Sequence, residues 1–364
     1  MKWACVCALS TPTLALAQST VTLTGVIDAG VTYVSNQHGA AGALFDSGIY
    51  VPNMLSLKGT EDLGGGNKAL FELTSQFDMG NGATIPGSGD IFSRTALVGL
   101  SSDRFGTLTL GNQYDFMFDT LTLGVFDGAF LFGGIYDFRQ GPFAALGIPD
   151  NPTGSFDFDR MAGGTRVSNS VKYRSPEIEG FTFGALYGFG GVPGAFSVDS
   201  TTSFGLSYVN GPLGLGAAYV EVKYPQLDNG HAGIRNFGFG AHYKFEKIIA
   251  MLLYTNTANT ASGAQINVYK ASAMWNMTGP WSIGVDYTFM GGNAVLTDNH
   301  AQQITGAIQY HFSKHTLAYV EAIYQHASGD TDATQAWINI VPQAAAAGAN
   351  SSQTLVRIGL STSF

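Results

Sequence analysis

Apolar and polar residues alternate with a period of two along most of this chain, and the clearest run is the last. Val356, Ile358, Leu360, Thr362 and Phe364 share one face; Leu355, Arg357, Gly359, Ser361 and Ser363 share the other. A period of two is the signature of a strand whose faces meet different surroundings. Read in order, such runs predict sixteen strands, near 20–34, 52–61, 67–78, 92–101, 106–113, 165–175, 180–189, 201–209, 213–223, 234–244, 247–257, 265–276, 281–291, 301–312, 316–326 and 353–364. Gly, Asp, Asn and Pro punctuate them. Short connections, such as 62–66, 101–105, 176–179, 210–212, 278–280 and 313–315, alternate with longer ones at 35–51, 79–91, 114–164, 190–200, 224–233, 258–264, 292–300 and 327–352. The polar faces are too numerous to form one solvated surface. An even number of two-faced strands, with short turns at one end and long loops at the other, predicts a closed antiparallel barrel, lipid outside and water inside. The segments do not repeat strictly, which argues against a propeller or solenoid.

Composition sharpens this reading. Of 364 residues only 12% are charged, against 12% aromatic and 48 Gly. A soluble chain carries about twice that charge. No uninterrupted apolar stretch reaches the roughly 18–20 residues of a membrane helix, so the expected class is all-β, a transmembrane antiparallel barrel of sixteen strands. Lys2, the apolar run 3–9 and Ala15-Leu16-Ala17 predict a signal peptide over 1–17, leaving 18–364 as the barrel domain. Both cysteines, Cys5 and Cys7, fall inside that segment, so the mature chain should hold no disulfide and no thiolate metal site. No cofactor or metal is expected. A net charge of −9 argues against nucleic acid as a partner.

The connection 114–164 stands apart, since so long a structureless segment is normally functional. It carries Asp115, Asp119, Asp127, Asp137, Asp150, Asp157 and Asp159, and Arg160 and Arg166 close it. Phe116, Phe118, Phe126, Phe130, Phe132 and Tyr136 make it too apolar for a free surface loop, and the barrel's inner wall is available to receive it. Strand parity turns Ser56, Lys58, Glu72, Thr74, Gln76, Arg94, Arg166, Ser168, Ser170, Lys172 and Arg174 inward. One wall therefore presents Lys58, Arg94, Arg166, Lys172 and Arg174, with loop aspartates opposite, and such opposed rows give a transverse field across a waist. The expected ion-selectivity residues are these five cations with Asp115, Asp119 and Asp127. Arg94 and Arg166 are expected to face Asp119 or Asp127.

Several segments carry a family resemblance: Val21 to Gly30, Leu57-Lys58-Gly59-Thr60-Glu61-Asp62-Leu63-Gly64-Gly65-Gly66-Asn67-Lys68-Ala69, Phe92 to Leu100, Phe105 to Gly111, Arg166 to Pro176, and the terminal Phe364. Together they resemble the Gram-negative general porins of the β-proteobacterial type, as in Burkholderia, Bordetella and Neisseria. The resemblance implies a homotrimer of sixteen-stranded barrels in the outer membrane. It implies a third external loop folded inward as the constriction, and passive diffusion of ions and small hydrophilic solutes. It further implies outer-membrane lipid and lipopolysaccharide around the barrel, and the barrel assembly machinery as the partner that reads Phe364. Arg94 and Arg166 fall on two positions of the family's arginine cluster. Two others depart, with Met54 and Asn112 where arginines are usual. That loss, with the acidic whole, predicts weak selectivity.

Two other classes compete. A substrate-selective channel for sugars or organic anions would use the aromatics of 116–143. A barrel phospholipase or protease would need a His within reach of a Ser or an acid. His38, His231, His242, His300, His311, His315 and His326 are scattered over loops and strand ends, and no G-x-S-x-G or H-E-x-x-H spacing accompanies them.

Overall fold

The computed structural model describes residues 19–85, 89–329, 335–339, 348 and 350–364; the expected signal peptide lies outside them. Seventeen strand segments form one antiparallel sheet. They are β1 (Thr20–Gln37), β2 (Ala40–Ser47), β3 (Met54–Gly64), β4 (Asn67–Gln76), β5 (Thr95–Ser102), β6 (Gly106–Gln113), β7 (Val167–Arg174), β8 (Phe181–Gly188) and β9 (Thr201–Asn210). Next come β10 (Leu213–Lys223), β11 (Gly233–Lys244), β12 (Ile248–Asn259), β13 (Gln265–Asn276), β14 (Trp281–Gly292), β15 (His300–His311), β16 (Thr316–Ser328) and β17 (Ser352–Ser363). Apart from β2 and β3, which do not pair with each other, each pairs with its neighbours in sequence, and β1 pairs with β17 from Val26↔Ser363 to Val34↔Leu355, which closes the barrel. Closure satisfies every edge, the condition for a sheet in lipid. Phe364 completes the seam: its N–H and C=O each bond the backbone of Gly25 at 3.0 Å.

Seventeen segments make sixteen staves, because β2 and β3 both pair with β1 and together form the second. The expected loop 35–51 is therefore half strand. β2 alternates like its neighbours, with Phe45 exposed and Asp46 buried. The stave breaks at 48–53, where Gly48 takes a left-handed φ of 71°. There Asp28 Oδ2 accepts the N–H groups of Ile49 and Tyr50 at 2.8 and 3.2 Å, and Asn53 Oδ1 accepts the Asp28 N–H at 2.6 Å. A second inward element is thus tied to β1 by one buried carboxylate.

The exposed face carries Val98, Leu252, Tyr269, Ile304, Ile358 and Leu360, among many large apolar residues. Such a belt is far beyond what a water-facing surface tolerates and is what a bilayer requires. The covered face is not uniformly polar. Leu186, Val220 and Leu253 pack with Phe116, Met117, Leu121 and Phe126, while Ile266, Val268 and Met290 pack with Phe143, Leu146 and Phe158. Inward apolar positions exist because segment 114–164 lies against them. The strands also leave room for its rings: a Cβ at Gly284 would stand 2.2 Å from Phe132 Cγ, and one at Gly240 would stand 2.5 Å from Phe126 Cγ.

Parity also fails once in β7. Asn169 adopts φ 51°, and the register with β6 shifts between Gly111 and Gln113, a β-bulge. Beyond it the faces exchange, so Val167 joins the buried side with Ser170 and Lys172, whereas Ser168, expected inward, is exposed.

Candidate functional site

Arg94 and Arg166 meet where segment 114–164 rejoins the wall. Arg94 Nη1 donates to Tyr114 Oη at 2.7 Å and to the Gly163 carbonyl at 2.9 Å. Arg166 donates through Nη1 to the carbonyls of Gly163 (2.8 Å) and Gly164 (3.1 Å), and through Nε and Nη2 to Ser93 O. Both guanidinium carbons lie within 6 Å of the Tyr114 ring centroid, at 5.8 and 5.9 Å, a cation–π distance. Burial, then the charge of Arg94, lowers Arg166 to about 10, still a cation at neutral pH. Every hydrogen-bond acceptor of these two arginines is a neutral oxygen. The expected pairing with Asp119 or Asp127 is not the one the structure forms.

The loop carboxylates go elsewhere. Asp119 pairs with Lys172, whose Nζ also donates to Tyr114 O at 2.7 Å. Asp115 takes Arg160 Nε at 2.6 Å. Asp127 lies deep in the structure between Arg139 at 2.5 Å and Lys270 at 3.0 Å, with none of the three side chains exposed. Burial opposes ionisation of Asp127, but the two cations outweigh it and hold the carboxyl below its ordinary range. Asp137 takes Lys270 at 2.5 Å and Thr305 Oγ1 at 2.5 Å, and Asp159 takes Arg139 Nε at 2.9 Å. Lys58 pairs with Glu72 at 3.2 Å and stays half exposed. Arg174 lines a separate cavity of about 390 Å³ with Asp119 and Glu177.

A second cluster ties the opposite side. Arg357 joins Asp28 at 3.1 Å and Asp46, and Tyr136 from the long segment reaches the same Asp46. Arg139, Lys270, Asp286, Arg357, Asp28 and Asp46 were absent from the expected site. Parity did place Arg357 on the polar face, and a lone Lys within an apolar strand marks Lys270, but neither signal names a partner 133 residues away.

Two cavities occupy the barrel's interior. One of about 500 Å³ opens toward the short turns and is lined by Lys58, Met54, Tyr114, Phe130 and Lys314. The other, about 330 Å³, opens toward the long loops and is lined by Asp150, Phe156, Asp157, Arg160 and Tyr224. Pro52, Arg94, Ile135 and Ala162 line both. Those four residues, one of them charged, therefore lie between the two compartments.

Comparison with known proteins places this architecture. The pattern of the Gram-negative porin family matches residues 4–331. An outer membrane porin protein of Delftia acidovorans is 32% identical over 319 residues, covering 84% of this chain and 83% of its own. One from Bordetella pertussis is 30% identical over 286 residues, covering 69% and 67%. The solved structure of an anion-selective porin from Comamonas acidovorans superposes with a TM-score of 0.78 at 26% identity, covering 95% of this chain and 100% of that one. An interior compartment at each end, an apolar belt outside, a closed sheet of sixteen staves and these relatives lead to one conclusion: the chain belongs to the Gram-negative porin family, channels of the outer membrane and not enzymes.

Proposed function

We propose that segment 114–164 is the constriction of this channel and that Arg94 and Arg166 make it prefer anions. The observation that carries this is the division of partners. Asp115, Asp119, Asp127, Asp137 and Asp159 are matched to cations, while Arg94 and Arg166 are held by neutral oxygens. The field left over at the waist is positive, whatever the net charge of the chain. This moves the expectation of weak selectivity toward anions, despite Met54 and Asn112. The resemblance to a porin described as anion-selective supports the same reading.

The test is the reversal potential in a salt gradient. A charge about 6 Å from a passing ion, screened as at 0.1 M salt, is worth roughly 0.4 kcal/mol, opposite in sign for anion and cation. Two such charges multiply the anion-to-cation ratio by roughly ten. The double variant Arg94→Gln, Arg166→Gln should lose about that factor, and the double Lys variant should keep the sign. An unchanged reversal potential in the Gln variant removes these residues from the waist.

We also propose a homotrimer. A solved neighbour, OmpT of Vibrio cholerae, is described in a trimer form, with a TM-score of 0.63 at 14% identity, a likeness of fold. Native mass in mild detergent should approach three times the 38.4 kDa chain; a monomer mass refutes it.

A further inference from the structure

The 500 Å³ compartment on the short-turn side has two unlike walls. On one, Arg94 is 96% buried, spends Nη1 on Tyr114 and Gly163, and leaves Nε without an acceptor. A buried donor left unpaired is unfavourable and rare, and is relieved by whatever anion can reach it. The other wall comes from the long segment and should be polar if it served hydrated ions alone. It is instead Leu123, Phe130 and Ile135, and Leu123 and Phe130 are 46% and 43% exposed in a segment whose other large apolar residues are mostly packed away. Met54 adds a further apolar side chain to the compartment. Apolar surface held in contact with water attracts any solute able to cover it. An apolar wall facing a few convergent polar groups is the usual form of a small-molecule site, and here Lys58, Glu72 and Thr74 share the lining with Arg94.

We propose that this compartment is a binding site for aryl carboxylates, with the carboxylate on Arg94 and the ring on Leu123, Phe130 and Ile135. The proposal rests on the waist being anion-preferring and adds a solute class to it. An anion without an apolar body gains only the charge; an aromatic solute without charge gains only the ring contact. A guanidinium takes a carboxylate through two parallel N–H groups, which fixes its orientation as well as its charge. The ring then lies along the loop wall, and the bound solute obstructs chloride while it stays.

The experiment is single-channel recording of the full-length protein in a planar bilayer, in potassium chloride, with sodium benzoate, sodium acetate or benzyl alcohol added in turn. Benzoate should reduce the chloride current at a concentration roughly tenfold below acetate, a factor of the size an apolar pocket gives, and benzyl alcohol should not reduce it. Within the variant Leu123→Ser, Phe130→Ser the benzoate-to-acetate ratio should fall toward one, each channel serving as its own reference. Equal block by benzoate and acetate in the unaltered protein overturns the proposal with no variant needed. Reversal potentials recorded in the same bilayers keep the two readings apart. An anion-preferring channel that treats benzoate as acetate refutes the aryl site alone, and a channel without anion preference refutes the waist assignment beneath it.

Discussion

Lys270 is the place where one ammonium group holds segment 114–164 to the wall. Its Nζ lies 3.0 Å from Asp127, 2.5 Å from Asp137 and 3.1 Å from Asp286, and none of these side chains is exposed. Asp127 and Asp137 belong to the long segment, whereas Lys270 and Asp286 belong to β13 and β14. Lys270→Met keeps the length of the side chain and removes the charge, leaving the buried Asp137 and Asp286 without a cation, while Asp127 keeps Arg139. Each contact at 3 Å carries roughly 5 kcal/mol of Coulomb energy at an effective dielectric of about 20, most of it offset by desolvation of the ammonium. Breaking such a buried arrangement from one side costs about 3–5 kcal/mol. The strands keep their ladder, so the loss falls on docking of 114–164. The expected result is protease cleavage within 114–164 of the folded protein, and a larger, noisier unit conductance. A variant that also carries Asp137→Asn and Asp286→Asn removes the charges together and should recover most of the resistance to protease, because the penalty lies in unpaired charge. A Lys270→Met protein that resists protease and conducts like the original refutes this account of how the segment is held.

Packing and pH give two further tests. Gly284→Val places its Cβ where Phe132 Cγ stands at 2.2 Å and should lower stability by about 1–3 kcal/mol; Gly306→Val, whose Cβ meets nothing within 4 Å, is the control, and equal unfolding midpoints contradict the packing. Asp157 is pushed up to about 7 by burial and by the Asp159 carboxylate, and it accepts the N–H groups of Ala162 and Gly164 beside the carbonyls that hold both arginines. With its folded value raised, its contribution to holding that turn is present below about 4 and lost as pH rises through 7. Anion preference should therefore grow as pH falls through 7, when the carboxylate loses its charge, and Asp157→Asn should flatten that dependence; a flat profile in the unaltered protein refutes it.

The barrel was legible in the sequence because its cause is local. Strand parity requires no partner to be known, and Leu252, Tyr269 and Ile304 fall on the exposed face as alternation places them. What parity missed has a physical reason in each case. One residue at φ 51°, Asn169, exchanged the faces of β7, and a bulge leaves little trace in composition. β2 reads as loop from the sequence because it is short and mostly small residues, Ala40–Ser47, and the break at 48–53 resembles any other turn. The inward Leu253, Val268 and Met290 are apolar where alternation leads one to expect polar residues, and only the long segment packed on them explains it. Arg94 and Arg166 were found as members of a cation row. Their partners were not, since a charge in a sequence is visible and its pairing is not.

That last gap bears on how the charge of a channel is read. The chain is acidic, and its long loop carries seven aspartates, a count that on its own argues for cations. The structure assigns most of those carboxylates to fastening: Asp115, Asp119, Asp127, Asp137 and Asp159 each meet a basic side chain and are cancelled there. A charge matched within 3 Å contributes a short-range dipole to a passing ion, whereas one held by a carbonyl keeps its full field. On the anion-preferring reading proposed above, selectivity rests on the two arginines, whose hydrogen bonds go to neutral oxygens, and neutralising a fastened aspartate should act first on the position of the loop and only through it on the ions. The same division would let a constriction built by this segment be rigid and charged at once: opposite charges hold it in place, and the arginines held by neutral oxygens remain for the solute.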